Sequence, residues 1–170
     1  KALQLESKFF YATGVSIVMH PLNPHVPIIH MNVRYFETRK SKSSREIEDS
    51  WFGGGIDLTP HYVVDEDAKW FHNQLKMACD QHDSSYYSAH KKWADDYFYI
   101  KHRKETRGVG GIFFDRLKAN SAASLNDLFE YVQSVGKTFA PTYTQLMTKN
   151  NSLHFGEKEL EWQKIRRGRY

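Results

Sequence analysis

Residues 14–20 (GVSIVMH) and 28–36 (IIHMNVRYF) alternate apolar and polar side chains in the two-residue rhythm of half-buried strands, and turn-forming Pro21, Leu22, Asn23 and Pro24 separate them. A polar run, Arg39-Lys40-Ser41-Lys42-Ser43-Ser44-Arg45, reads as an exposed loop. After it, residues 51–58 resume an extended, aromatic pattern. Three strands in succession on short connections predict an antiparallel sheet. From Asp65, taken as an N-cap, Ala68, Phe71, Leu75 and Ala78 recur at helical spacing and predict a helix to about Cys79. A second helix is expected over 86–101, with Trp93, Tyr97 and Ile100 on one stripe beside Ala94 and Phe98. Residues 108–114 return to strand. Ser124 and Asp127 form a capping box for a helix through Leu128, Phe129, Val132 and Val135. Pro141 then opens or kinks a further helix carrying Tyr143, Leu146 and Met147. The closing run, residues 164–170, reads as a turn leading into a new strand. Strands first and mostly helices afterwards define an α+β layer structure.

The chain has 170 residues, with 24 Lys plus Arg against 20 Asp plus Glu, hence a formal charge of +4. That length suits one domain, 1–170, able to bury a core without covalent staples. Only Cys79 is present, which excludes an intramolecular disulfide framework, a CxxC redox pair and a zinc site built on several thiolates. An aromatic fraction of 15% argues against disorder. No apolar run approaches a membrane span, and the start of the chain shows no charged-then-apolar signal pattern, so a cytoplasmic protein is expected, with a mitochondrial one as the alternative.

Strand alternation places Ile29, Met31, Val33 and Tyr35 on one face and His30, Asn32 and Arg34 on the other, about 7 Å apart along the strand. An imidazole, an amide and a planar guanidinium make a polar platform suited to a carboxylate. The alternative is an ordinary solvent-facing side. Ser16 and His20 alternate likewise on the preceding strand. Gly53-Gly54-Gly55 would weaken a strand unless a bulge or a flat ligand needs the space, and no dinucleotide fingerprint is assembled around them. Asp57 is either a ligand-facing carboxylate or a strand-end cap of the turn at Thr59-Pro60. Nine histidines raise the question of a metal, with His20, His30, His72 and His102 as a possible imidazole cluster, yet no HxH or HExxH spacing occurs. The basic run Lys101-His102-Arg103-Lys104 with Arg107 suits phosphate or nucleic acid, or simply complements a helix C-terminus.

Residues 16–27 (SIVMHPLNPHVP), 30–36 (HMNVRYF), 51–60 (WFGGGIDLTP), 91–93 (KKW), 95–98 (DDYF), 101–103 (KHR), 107–115 (RGVGGIFFD) and 166–170 (RRGRY) closely resemble the oxygen-dependent coproporphyrinogen III oxidases. The resemblance implies oxidative decarboxylation of two propionates of coproporphyrinogen III to vinyls, giving protoporphyrinogen IX in haem synthesis, with O₂ as co-substrate and no organic cofactor. It implies a broad antiparallel sheet flanked by helices on both faces, a homodimer, a small-molecule substrate and no nucleic-acid partner. His30 matches the family's proton donor and Asp57 a carboxylate that holds pyrrole N–H groups, with Arg34 gripping a propionate as a third catalytic residue. Ser16, Asn32, Val33 and Arg34 match substrate-binding positions. The four histidines named above match metal ligands of bacterial relatives, whereas eukaryotic-type members work without metal, so no metal ligand is assigned. Arg116 stands where relatives commonly carry a second acidic residue. The resemblance also implies further strands beyond residue 170, carrying an acidic active-site residue and dimer contacts, and a block before residue 1. The chain is therefore expected to be partial, which leaves a binding-only fragment as the alternative to an active enzyme and a basic nucleic-acid-binding module as a more distant one.

Overall fold

The computed structural model describes residues 9–170; the first eight residues, which the single-domain reading includes, lie outside the described residues. β1 (Phe9–Met19), β2 (Ile28–Arg39), β3 (Ile47–Thr59) and β6 (Gly111–Leu117) form one antiparallel sheet in the order β1-β2-β3-β6. β4 (Tyr99–Ile100) and β5 (Glu105–Thr106) pair as a separate small ribbon. The helices are α1 (Asp65–Asp80), α2 (Tyr86–Phe98), α3 (Leu125–Asn150) and α4 (Glu157–Arg167). No helix among the described residues is long and apolar enough to cross a membrane.

The register follows from the alternation. Ile17, Met31, Ile56 and Ile112 line up across the four strands, and Val15, Val33, Gly54 and Phe114 form the next row. On this face Phe71 and Leu75 of α1 and Leu128, Tyr131, Val135 and Leu146 of α3 close a core whose central members are almost wholly buried. α2 runs beside β6, its His90 ring against Phe114 on the core face and its Tyr97 ring stacked 4.1 Å from Phe113 on the other.

Several boundaries differ from the expectations for physical reasons. Val64, not Asp65, precedes the first helical residue of α1, and Asp65, Glu66 and Asp67 fill the first turn, where their charges favour the helix dipole. α2 stops at Phe98 because Tyr99 and Ile100 pair with Thr106 and Glu105. Its core positions are His90 and Ala94, while Trp93 and Tyr97 stay exposed. The strand expected from Gly108 begins at Gly111, because Gly108 to Gly110 form the loop that bonds Leu58. The Ser124–Asp127 capping box is present, but Pro141 interrupts nothing: α3 continues through it. Pro141 and Lys137 are exposed, so water can satisfy the carbonyl that loses its helical partner. Residues 164–167 are helical rather than a turn into a strand. Glu159 caps the Gly156 N–H at 2.8 Å, and Lys164, Arg166 and Arg167 complete a last turn of the sign the dipole prefers.

Candidate functional site

The face of the sheet away from the core carries a lattice of polar side chains and glycines. One row runs Val18, His30, Asp57; the next Ser16, Asn32, Gly55, Phe113; the third Gly14, Arg34, Gly53. Cross-strand neighbours sit about 5 Å apart, so this register brings Ser16, His30, Asn32, Arg34 and Asp57 to one surface. They line a cleft of about 240 Å³, walled on one side by Tyr97, Phe98 and Phe113 and closed at one end by Arg107. The glycines keep its floor at backbone level. Val33 is the exception among the anticipated residues: its side chain lies on the opposite face, packed against the core.

Asp57 does not cap the turn that follows it. It accepts from His30 Nδ1 at 3.2 Å and from both ends of the Arg107 fork, at 2.6 Å and 3.2 Å. A carboxylate only 6% exposed is thus paired with a guanidinium and an imidazole, which offsets the cost of burying its charge. Because His30 donates through Nδ1, its Nε2 is left available on the other edge of the ring. The Arg107 guanidinium lies 4.1 Å over the Phe98 ring. Tyr170 meets His30 edge to face at 5.6 Å and hydrogen-bonds His20 Nε2 at 2.7 Å, so the last residue of the chain reaches the cleft beside β1 and β2. Burial, with the charge of Arg167 and of His30 nearby, holds the His20 ring below its usual pKa. Arg34 donates to Asn32 Oδ1 at 2.7 Å and to Asp115 at 3.0 Å.

The four histidines do not gather. His20 and His30 share Tyr170, but His72 donates from Nε2 to the Val109 carbonyl at 2.8 Å and accepts from the Tyr87 hydroxyl at Nδ1, 3.0 Å away. His102 is exposed in the turn between β4 and β5. Both nitrogens of His72 are therefore committed, and no group of three or more His, Cys, Asp or Glu among the described residues is arranged to hold a metal. The residues present do not fit the metal of the bacterial pattern.

Tyr170, Asp115 and the aromatic wall carry no site reading from the sequence, and Arg107 enters it only as part of a basic run suited to phosphate or nucleic acid. Alternation along residues 111–117 gives Phe113 and Asp115 a common face, but the register that puts them against Arg34 and Gly55 is not written in any one strand. The basic run 101–104 turns out to be the tip of the β4–β5 ribbon, and Arg107 points away from it into the cleft.

The Coproporphyrinogen III oxidase family model matches residues 1–170, and the chain belongs to that family. It is 51% identical over 162 residues to the oxygen-dependent coproporphyrinogen-III oxidase of Drosophila melanogaster, covering 95% of this chain and 40% of that protein. It is 50% identical over 161 residues to the mitochondrial human oxygen-dependent coproporphyrinogen-III oxidase, covering 95% of the chain and 34% of the human protein. Coproporphyrinogen-III oxidase 1, chloroplastic, of Arabidopsis thaliana is 46% identical over 162 residues, 41% of its length. The chain thus spans well under half the length of these relatives.

Proposed function

We propose that this chain provides the substrate platform of an oxygen-dependent coproporphyrinogen III oxidase, the activity its relatives are named for. The observation that carries the reading is the juxtaposition of Arg34, Asn32, His30 and Asp57 over a floor of glycines. A flat macrocycle needs that floor, and its propionates need the guanidinium. Arg34 retains N–H groups beyond the two given to Asn32 and Asp115, enough for a two-pronged grip on a carboxylate. Ser16 and Asn32 add neutral donors on the same surface. Asp57 keeps accepting capacity on Oδ1 beside its bonds to Arg107 and His30, and so can receive a pyrrole N–H. The net charge of +4 favours encounter with a tetracarboxylate.

The balance of the reaction calls for one proton donor, the role proposed for His30. Each propionate, R–CH₂–CH₂–COO⁻, with O₂ and one proton gives R–CH=CH₂, CO₂ and H₂O₂. The bond to the carboxyl carbon breaks and its electron pair becomes the second bond of the vinyl. The C–H next to the pyrrole ring breaks, its proton and two electrons pass to O₂, and one further proton completes the peroxide. His30, with its Nδ1–H held by Asp57, supplies that proton from Nε2–H when the ring carries both protons. The electron-rich substrate is the reductant, so no organic cofactor is called for.

At about 240 Å³ the cleft is smaller than the roughly 300–1,000 Å³ typical of ligand pockets, so a tetrapyrrole would be gripped here along one edge. That favours a second outcome, a chain that binds tetrapyrrole and needs further segments for turnover. The homodimer of the family pattern belongs to the same proposal, and a molar mass from light scattering twice that of the chain would support it. The deciding experiment is incubation with coproporphyrinogen III under air, with products separated and read by porphyrin fluorescence. Protoporphyrin with peroxide supports the full activity; saturable binding without product supports the platform alone; neither binding nor product overturns the reading.

A further inference from the structure

The ladder between β3 and β6 breaks at one point. Phe52 pairs with Leu117 and Gly54 with Phe114, so Asp115 and Arg116 together stand opposite Gly53. This is a β-bulge, a device that bends a strand and re-aims a side chain. Arg116 completes it with φ 51°, a left-handed conformation that a residue with a long side chain adopts only when its surroundings impose it. The consequence is visible one residue earlier. The Asp115 carboxylate leans across the sheet and accepts from Arg34 at 3.0 Å. Gly53 makes the crossing possible, because a Cβ there would stand 2.6 Å from Asp115 Oδ1 and 2.7 Å from Arg34 Nε. At the other terminal nitrogen Arg34 donates to Asn32. The guanidinium is thereby held at both ends across a bare stretch of backbone, in a side chain that is 37% exposed and would otherwise be free to turn.

Resting on the reading of this face as a tetracarboxylate platform, we propose that Asp115 is a positioning residue. Through the bulge at Arg116 and the space at Gly53, it presets the Arg34 fork for a substrate carboxylate before the substrate arrives. The ordering of a long side chain is then complete in the free protein, and binding does not have to supply it. A negative charge beside an anion site is otherwise unfavourable, which separates positioning from a simple field effect. Truncating the side chain should tighten binding if Asp115 acts only through its field, and weaken it if Asp115 sets the fork.

The test is equilibrium binding of coproporphyrin III, followed by its fluorescence, to the wild-type chain and to variants whose melting temperatures are measured alongside. Asp115→Ala is expected to weaken binding about tenfold, as loss of a preordered charged contact does. Asp115→Asn, which keeps an acceptor oxygen without the charge, is expected to stay within about threefold of wild type. Gly53→Ala, which leaves both charges and drives a methyl between them, should match Asp115→Ala. In an Arg34→Ala background, Asp115→Ala should have no further effect on affinity, whereas a merely structural role would add to it. Tighter or unchanged binding by a folded Asp115→Ala, with Arg34→Ala still weakened, overturns this inference and leaves the platform reading standing. No binding by the wild type overturns both. Should Asp115→Ala fail to fold, Arg116→Val, unsuited to the left-handed backbone, takes its place with the same expected loss, and Arg116→Gly should bind as wild type does.

Discussion

The two faces of the sheet are made of the same strands and obey opposite rules. On the core face, Ile29, Ile56, Leu58, Ile112 and Phe114 are essentially inaccessible and interdigitate with α1 and α3. Their geometry is set by volume, and any apolar side chain of similar shape serves. On the other face the central positions are glycine or carry hydrogen-bonding groups, and their geometry is set by direction: His30 to Asp57, Arg107 to Asp57, Arg34 to Asn32 and Asp115. One face stabilises and the other presents chemistry, so substitutions on the two should separate stability from binding cleanly.

The largest expected effect lies on the core face. Phe114→Ala removes a fully buried ring packed on His90 and Tyr131, and should lower the unfolding free energy by about 3–5 kcal/mol in a denaturant titration. Any molecules that remain folded should bind coproporphyrin III normally.

Acid acts on the same face next. His90 is buried with Nδ1 bonded to the Tyr131 hydroxyl at 2.8 Å, and burial pushes its pKa down to about 4. The unfolded chain takes up that proton near pH 6.5. Stability from this group is therefore complete above pH 6.5, declines as the pH falls toward about 4 and is flat below, by at most about 3 kcal/mol. Chemical denaturation across this range should show the decline, and His90→Phe should flatten it even though it starts less stable.

On the polar face, Arg34→Ala should weaken coproporphyrin III binding about 30-fold, the scale of a lost charge-assisted pair, while moving the melting temperature little. The smallest effect is a link between the faces. His72 holds the Val109 carbonyl, and the same loop carries Arg107 to Asp57. His72→Ala should cost about 1 kcal/mol of stability and a few-fold in binding, and His72→Gln, whose amide nitrogen can donate to that carbonyl, should restore most of both. Restoration by Gln would also count against a metal role, since added chelator should then change neither value.

Much of the sheet was legible because a two-residue period fixes which side chains share a face, although it leaves slips of two residues open. That is why residues 28–36 announced both the core row and the His30, Asn32, Arg34 row. Ends were less legible. Residues 164–167 mix basic residues and one isoleucine in a pattern that suits a strand edge or a helix C-terminus equally, and only packing of Trp162 and Gln163 on the loops after β1 and β3 decides it. The site was half legible. His30, Arg34 and Asp57 sit on a readable alternation, whereas Arg107, Asp115 and Tyr170 arrive from loops, a bulge and the chain's last turn, 50 to 150 residues away in sequence from their partners. No local pattern encodes those meetings.

The most direct test is a titration of the wild-type chain and of Arg34→Ala with coproporphyrin III, with melting temperatures recorded for both. Saturable binding by the wild type and about 30-fold weaker binding by an equally stable Arg34→Ala are expected. No saturable binding by the wild type, or equal binding by the two proteins, would contradict the platform reading.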